Sequence, residues 1–344
     1  MGRTEEYADV VGSGGISRRA FLKTAVAAGL LAGCSPDQQG ASTLDTTPAP
    51  TSGPIPAAPG RVVRARHAEV WDGDALVPDA LGQMLDASVL TLTGLEDAPG
   101  AWAALFQPEE RIAIKVNSIR GSHVWTHVPL VVAVAERLQQ AGIPPEQITI
   151  FDRRTAELNR AGFPINPNGP GIRCYGTEGA YTAGWELMDT KIRLSEIVLD
   201  CDALINVPVL KSHTISGITF GLKNHYGTFD RPSRFHGERI SQALGELNAL
   251  EPIRERTRLI IGDALVVVEP GWASTVPGDS ILASFDPVAL DAIGLDIFVT
   301  AMGQDSPGAK SAISRAAPWL EHAAGLGLGT DDREQIDLIA LDVG

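Results

Sequence analysis

The chain has 344 residues, 44% of them hydrophobic, which is material for one large domain or two modest ones. A formal charge of −14 argues against a nucleic-acid binder, because phosphate backbones demand a basic face. No run of 18 apolar residues offers a permanent membrane-spanning helix.

The first sixty residues read as targeting rather than fold. Ser17 to Lys23 is SRRAFLK, a full twin-arginine export signal built on Arg18 and Arg19, and a short, weakly apolar segment from Ala25 to Ala32 follows it. Leu31-Ala32-Gly33-Cys34 then reads as a lipobox, so cleavage before Cys34 would leave that thiol to carry lipid. The expected partners are the twin-arginine translocase, the lipoprotein processing machinery and, through the lipid anchor, the membrane on its extracytoplasmic (periplasmic) side. Residues 35–60 are rich in Pro, Ser, Thr, Ala and Gln, a composition that buries too little apolar surface to fold, and they read as a tether. One domain, 61–344, is expected behind it.

Twin-arginine export carries folded proteins, so a metal or small-molecule cofactor inserted before export is an open expectation. With Cys34 lipidated, only Cys174 and Cys201 remain, and the absence of any CxxC argues against a protein-bound iron–sulfur cluster. Two buried free thiols are expected ahead of a disulfide.

Along the mature chain, Arg111 to Asn117 is a short β-branched run suited to a buried strand. Pro129 to Ala141 has helical spacing with Gly142 as its stop. Strands follow at Gln147 to Asp152 and Ala203 to Val207, then an amphipathic helix at Phe235 to Leu250. Arg258 to Asp263 reads as a strand that continues toward Val268, and Ser280 to Phe285 as another. Asp286-Pro287 supplies an N-cap and an N1 proline for a helix running to about Ala301, and a last strand spans Ile336 to Val343. Strands alternating with helices predict a single α/β domain with a mainly parallel central sheet flanked by helices.

Parallel sheets bind ligands beyond the carboxyl ends of their strands. Several predicted strands end in polar residues there: Lys115 and Asn117; Asp152, Arg153 and Arg154; Lys211 and His213; Asp263; and Asp286. The chain has six lysines against 22 arginines, yet Lys115, Lys211 and Lys223 all fall in these apolar or glycine-rich stretches. Lys differs from Arg in being a compact charge whose pKa falls readily on burial, which suits a phosphate anchor, an acid/base group or an imine-forming amine.

Lys115, Lys211 and His213 are therefore candidate catalytic residues, and Asn117, Lys223, Asn224, His225 and Asp263 candidate substrate- or cofactor-binding residues. His213, Asp286 and Asp291 are candidate metal ligands, although helix capping explains Asp286 adequately, and a loop-capping role is an equal explanation for Asp263. His123 and His127 have the spacing of a helical metal pair, but the surrounding GSHVWTHVP reads as a loop.

Four motifs stand in order: Lys115-Val116-Asn117; Asn206 to His213 (NVPVLKSH); Gly221-Leu222-Lys223-Asn224 with Gly227; and Ser284-x-Asp286-Pro287-Val288-Ala289-x-Asp291. Together they resemble the domain of unknown function family 362. The resemblance marks those Lys, Asn, His and Asp residues as motif positions and implies no reaction. Some members carry a ferredoxin-like module, whose cysteines this chain lacks. The expected function is an extracytoplasmic enzyme whose Lys/His/Asn-lined pocket takes an anionic small molecule. A lipid-anchored binding protein without turnover, and a purely structural role for the motifs, remain as alternatives.

Overall fold

A computed structural model describes residues 60–119, 125–271 and 274–344. The export signal with Arg18 and Arg19, the lipidation site Cys34, residues 35–59 of the tether, and His123 lie outside the described residues.

The fold is α/β, with one ten-stranded sheet between two layers of helices. From one edge the strands run Asp337–Val343, Arg61–His67, Thr275–Ser284, Thr257–Val268, Ala203–Val207, Ile112–Val116, Ile148–Asp152 and Arg173–Gly176. Neighbours are parallel except on both sides of Thr275–Ser284, which runs against them. A hairpin of Val209–His213 and Gly217–Thr219 completes the sheet, attached to Thr257–Val268.

Strand alternation sorts the core. Ile112, Ile114, Ile150 and Ile205 face the helices Pro78–Thr93, Ala98–Leu105 and Val128–Gln140. Ala113, Leu204 and Ile260 face Ile240–Ala249, Pro287–Met302 and Pro307–Gly325. Period two then puts Lys115, following Ala113, and Asn206, following Leu204, on the second face at the strands' carboxyl ends. Both are buried.

Pro208 shapes the neighbouring end. Having no N–H, it interrupts the run from Ala203 to His213, and its carbonyl accepts from Asp263 N at 2.8 Å. The first part of Thr257–Val268 pairs with Ala203–Val207, and the later part pairs with Val209–His213. The chain thus carries Lys211 and His213 past the end of the parallel strands.

The predicted strands and the helices at Pro129 and Asp286 form within a few residues of their expected limits. The helix expected from Phe235 begins instead at Ile240. Pro232–Phe235 is a 3-10 turn, and Gly237 at φ 93° breaks the path between the two. Cys174 and Cys201 are buried free thiols, and burial pushes each up to about 12. No helix among the described residues is long and apolar enough to cross a membrane.

Phe220 seats the segment that carries Lys223. Its ring fills a slot left by two glycines: a Cβ on Gly262 would stand 2.3 Å from the ring and one on Gly294 2.6 Å. Gly262→Ala should therefore cost about 1–3 kcal/mol through overpacking, read as a lowered midpoint in chemical denaturation. A stability within 0.5 kcal/mol of wild type, in order-of-magnitude terms, would show that the slot yields.

Candidate functional site

A buried polar network closes the carboxyl ends of the central strands. Lys115 Nζ donates to Asp152 Oδ1 at 2.7 Å, to the Val116 carbonyl at 2.7 Å and to Asn224 Oδ1 at 3.2 Å. The other carboxylate oxygen of Asp152 accepts from Ser118 N and Oγ, both at 2.7 Å. Burial alone would raise the Asp152 pKa, but the Lys115 ammonium and then Ser118 hold it below the usual carboxylate range.

Asn224 ties this pair to the next strand. Its amide donates to Asn206 Oδ1 at 2.7 Å, and its oxygen also accepts from Asn117 Nδ2 at 3.3 Å. Asn117 Oδ1 in turn accepts from Lys211 Nζ at 2.7 Å, and Lys211 also donates to the Ile119 carbonyl at 3.4 Å. Gly227 lies against the ion pair, where a Cβ would sit 2.5 Å from Asp152 Oδ1 and 2.9 Å from Lys115 Nζ.

Lys223 is placed differently. It is 6% exposed, and its ammonium lies 4.2 Å over the Tyr226 ring and 3.2 Å from His236 Nε2. No carboxylate pairs with it among the described residues. His236 Nδ1 donates to the Pro232 carbonyl at 3.3 Å, which leaves Nε2 as the acceptor facing Lys223. Burial pulls both Lys211 and Lys223 down to about 7; at Lys223 the charge of Lys211 adds to the effect, while at Lys211 the Asp152 carboxylate opposes it and the charge of Lys115 adds to it.

His213 stands 5.7 Å from His236, ring to ring. Its Nδ1 accepts from the backbone N–H of Ile215 (3.2 Å) and Ser216 (3.1 Å), so the ring proton belongs on Nε2. Burial, then Lys223 and the other nearby cations, push His213 down to about 3. In this setting it is a neutral N–H donor. His213 also lines a cavity of about 460 Å³ with Ser212, Pro270, Phe298, Ser311 and Arg315. Arg315 is exposed there and donates to the Thr214 carbonyl.

The remaining candidates do structural work. Asp291 Oδ1 and Oδ2 accept from Gly221 N (2.5 Å) and Leu222 N (2.9 Å), opening the short helix Gly221–Asn224. Asp286 accepts from Val288 and Ala289, capping its helix, and from Gly60 and Thr330. Their oxygens accept from backbone N–H groups, and His213 is not grouped with them. Among the described residues no three His, Cys, Asp or Glu side chains converge as a metal cluster.

Asp263 Oδ2 accepts from both the backbone N and Nδ1 of His127 at 2.8 Å, so it fixes the turn that starts Val128–Gln140. Against the lowering effect of burial, Asp263 raises His127. His225 is wholly buried with neither ring nitrogen hydrogen-bonded, and burial, then Lys115, push it down to about 3. It stands inside the network rather than at its mouth.

Asp152 and His236 are the residues that sequence reasoning left out of the site. Asp152 carried a signal, a carboxylate ending a strand parallel to the one bearing Lys115; His236 carried only its nearness to the GLKN motif.

The profile of a domain of unknown function, DUF362, matches residues 112–296. The chain belongs to the DUF362 family. The matched stretch contains the whole network from Lys115 to Asp291, while Arg315 lies beyond it. A thylakoid-associated protein of Synechocystis is 28% identical over 146 residues, 40% of this chain and 44% of that protein, so the chain spans less than half of that relative's length. Among solved structures, the lactate racemase apoprotein of Thermoanaerobacterium thermosaccharolyticum has a TM-score of 0.38 at 10% identity, covering 62% of this chain and 54% of that one. A Thermotoga maritima protein has a TM-score of 0.36 at 12% identity, covering 74% and 60%.

Two outcomes follow from the lysine environments. Lys115→Met leaves the Asp152 carboxylate buried without its counter-charge and should cost about 3–5 kcal/mol in denaturant unfolding. Lys211 and Lys223 lose their protons near 7 when folded but near 10.5 when unfolded. Between those values the unfolded chain binds more protons, so stability should rise with pH. Denaturation midpoints compared at pH 7 and 9.5 should show that rise in wild type and a flatter profile in Lys211→Met, Lys223→Met.

Proposed function

We propose that the protein is an enzyme acting on a small anionic compound, held beyond the strand carboxyl ends by Lys223, Lys211 and the Nε2–H of His213. The observation that carries this reading is the contrast between two buried lysines. Lys115 has its own carboxylate, whereas Lys223 faces an imidazole nitrogen and an aromatic ring. A buried ammonium without a counter-ion costs several kcal/mol in order of magnitude, and a bound anion would offset that cost.

The chemistry available is proton transfer. An amine that titrates near 7 can hold an anion in its charged form and take up a proton in its neutral form. His236 Nε2, 3.2 Å away, is the acceptor through which that proton can pass. Asn117 orients Lys211, and the Lys115–Asp152 pair keeps the floor of the site rigid. Arg315 adds a surface cation at the neighbouring cavity. The SRRAFLK segment and Cys34 support export by the twin-arginine pathway and lipid anchoring on the extracytoplasmic side, which would present this site outside the cytoplasm.

Calorimetric titration of inorganic phosphate, sulfate and pyruvate at pH 6.5 and 9 tests the reading. At least one should bind at pH 6.5, about 10–100-fold more weakly to Lys223→Met, the equivalent of one charged hydrogen bond. Binding should weaken again at pH 9, where the amine is neutral. Affinity indifferent to Lys223 and to pH would overturn it. Bound anions that stay chemically unchanged in NMR spectra over hours would leave capture without turnover.

A further inference from the structure

We infer that Lys223 is a covalent site, whose amine condenses with the carbonyl group of a small 2-oxo acid to form an imine. This rests on the anion-site reading above and names the substrate class for it.

Geometry singles Lys223 out among the five lysines of the described residues. Lys115 is locked to Asp152, Lys211 is held by Asn117, and Lys191 and Lys310 are exposed. Lys223 alone has its nitrogen between an aromatic face and an imidazole lone pair, and neither contact removes its nucleophilic electron pair once the amine is neutral. The Tyr226 hydroxyl is engaged with the Phe235 carbonyl at 3.1 Å, so Tyr226 presents only its ring to the amine. His236, which the Lys223 nitrogen contacts, is exposed, so that nitrogen lies one side chain beneath the surface.

The charged and titratable groups around it are Lys211, His213, His236 and Tyr226, with Arg315 beyond His213; no carboxylate is among the groups that set the Lys223 titration. Such surroundings favour the neutral amine and attract an anion together. A carbonyl next to a carboxylate answers both features, since the carboxylate meets the cations and the carbonyl carbon meets the amine.

The step balances without an outside oxidant or reductant. The Lys223 lone pair forms the C–N bond as the carbonyl π electrons move to oxygen, giving a carbinolamine. The oxygen then leaves as water, carrying two protons supplied by the ammonium nitrogen, and the C=N bond forms. His236 Nε2 is the base at hand for the first of those protons. His213 keeps its single proton and serves as a donor only.

The full chain incubated with glyoxylate or pyruvate and sodium cyanoborohydride, which reduces an imine to a stable amine, tests this by peptide mapping. Lys223 should be modified at least tenfold faster than Lys191 or Lys310 within the same sample. Lys223→Arg should abolish that adduct, because the nucleophile is gone. Equal labelling of the surface lysines, or no Lys223 adduct with either compound while binding persists, overturns the imine and leaves the anion site standing. No binding by wild type at pH 6.5 would remove the reading beneath it.

Discussion

The buried pair of Lys115 and Asp152 is the interaction around which the carboxyl end of the central sheet is built. Two charges have been taken out of water at the carboxyl ends of adjacent parallel strands, and every remaining lone pair of Asp152 that the fold can reach is answered by Ser118. Such a pair is costly to bury and costlier to break. Its use is positional. The Lys115 head also holds Asn224, Asn224 holds Asn206 and Asn117, and Asn117 holds Lys211. A short helix of four residues, Gly221–Asn224, has almost no stability of its own. It is fixed at its start by Asp291, at its end by the Asn224 network and underneath by Phe220 in its glycine slot.

Rigidity at that helix is what makes the placement of Lys223 meaningful. A lysine on a mobile loop would turn to water and keep its ordinary basicity. Lys223 is held between the Tyr226 ring and His236, so its charged form must be stabilised by something brought to it or be given up. The two lysines of the GLKN and NVPVLKSH segments therefore differ from Lys115 in kind. Lys115 is paired with a carboxylate, whereas Lys211 donates to an amide oxygen and Lys223 faces an imidazole.

Much of the frame was legible from local patterns. Ile112–Val116 and Ala203–Val207 are buried on both faces, so their apolar runs announce central parallel strands, and Asp286-Pro287 announces its helix because a cap and an N1 proline act on adjacent residues. What failed was information held across the fold. The backbone groups that Asp291 accepts from, Gly221 and Leu222, lie about seventy positions away, so its place at the start of that short helix was not visible locally. Asp152 ended a strand without a visible partner because Lys115 is 37 residues earlier. The hairpin Tyr181–Leu187 with Thr190–Ser195 gave little signal, since most of its first strand is exposed or half-buried and lacks a clean alternation. The helix misjudged at Phe235 has helical spacing throughout, and a single glycine at φ 93° overrides it.

The scarcity of lysine was the most informative compositional feature, and the structure supplies a physical reason for it. A guanidinium stays charged at any accessible pH and spreads its donors over a plane, so it could not share a proton with His236 or present a nucleophilic electron pair. It would also need several acceptors, and around the Lys223 nitrogen there are an imidazole lone pair and a ring face. At Arg137, Arg258 and Arg333, which span carboxylates and carbonyls nearer the surface, the planar fork is the better fit. At Lys115, Lys211 and Lys223, unlike the exposed Lys191 and Lys310, a single compact nitrogen sits in a small buried space. At Lys115 that space contains a carboxylate, and at Lys223 it contains a base. The same side chain is a structural counter-ion in the first setting and, in the second, an ammonium whose neighbours are an imidazole and a ring face.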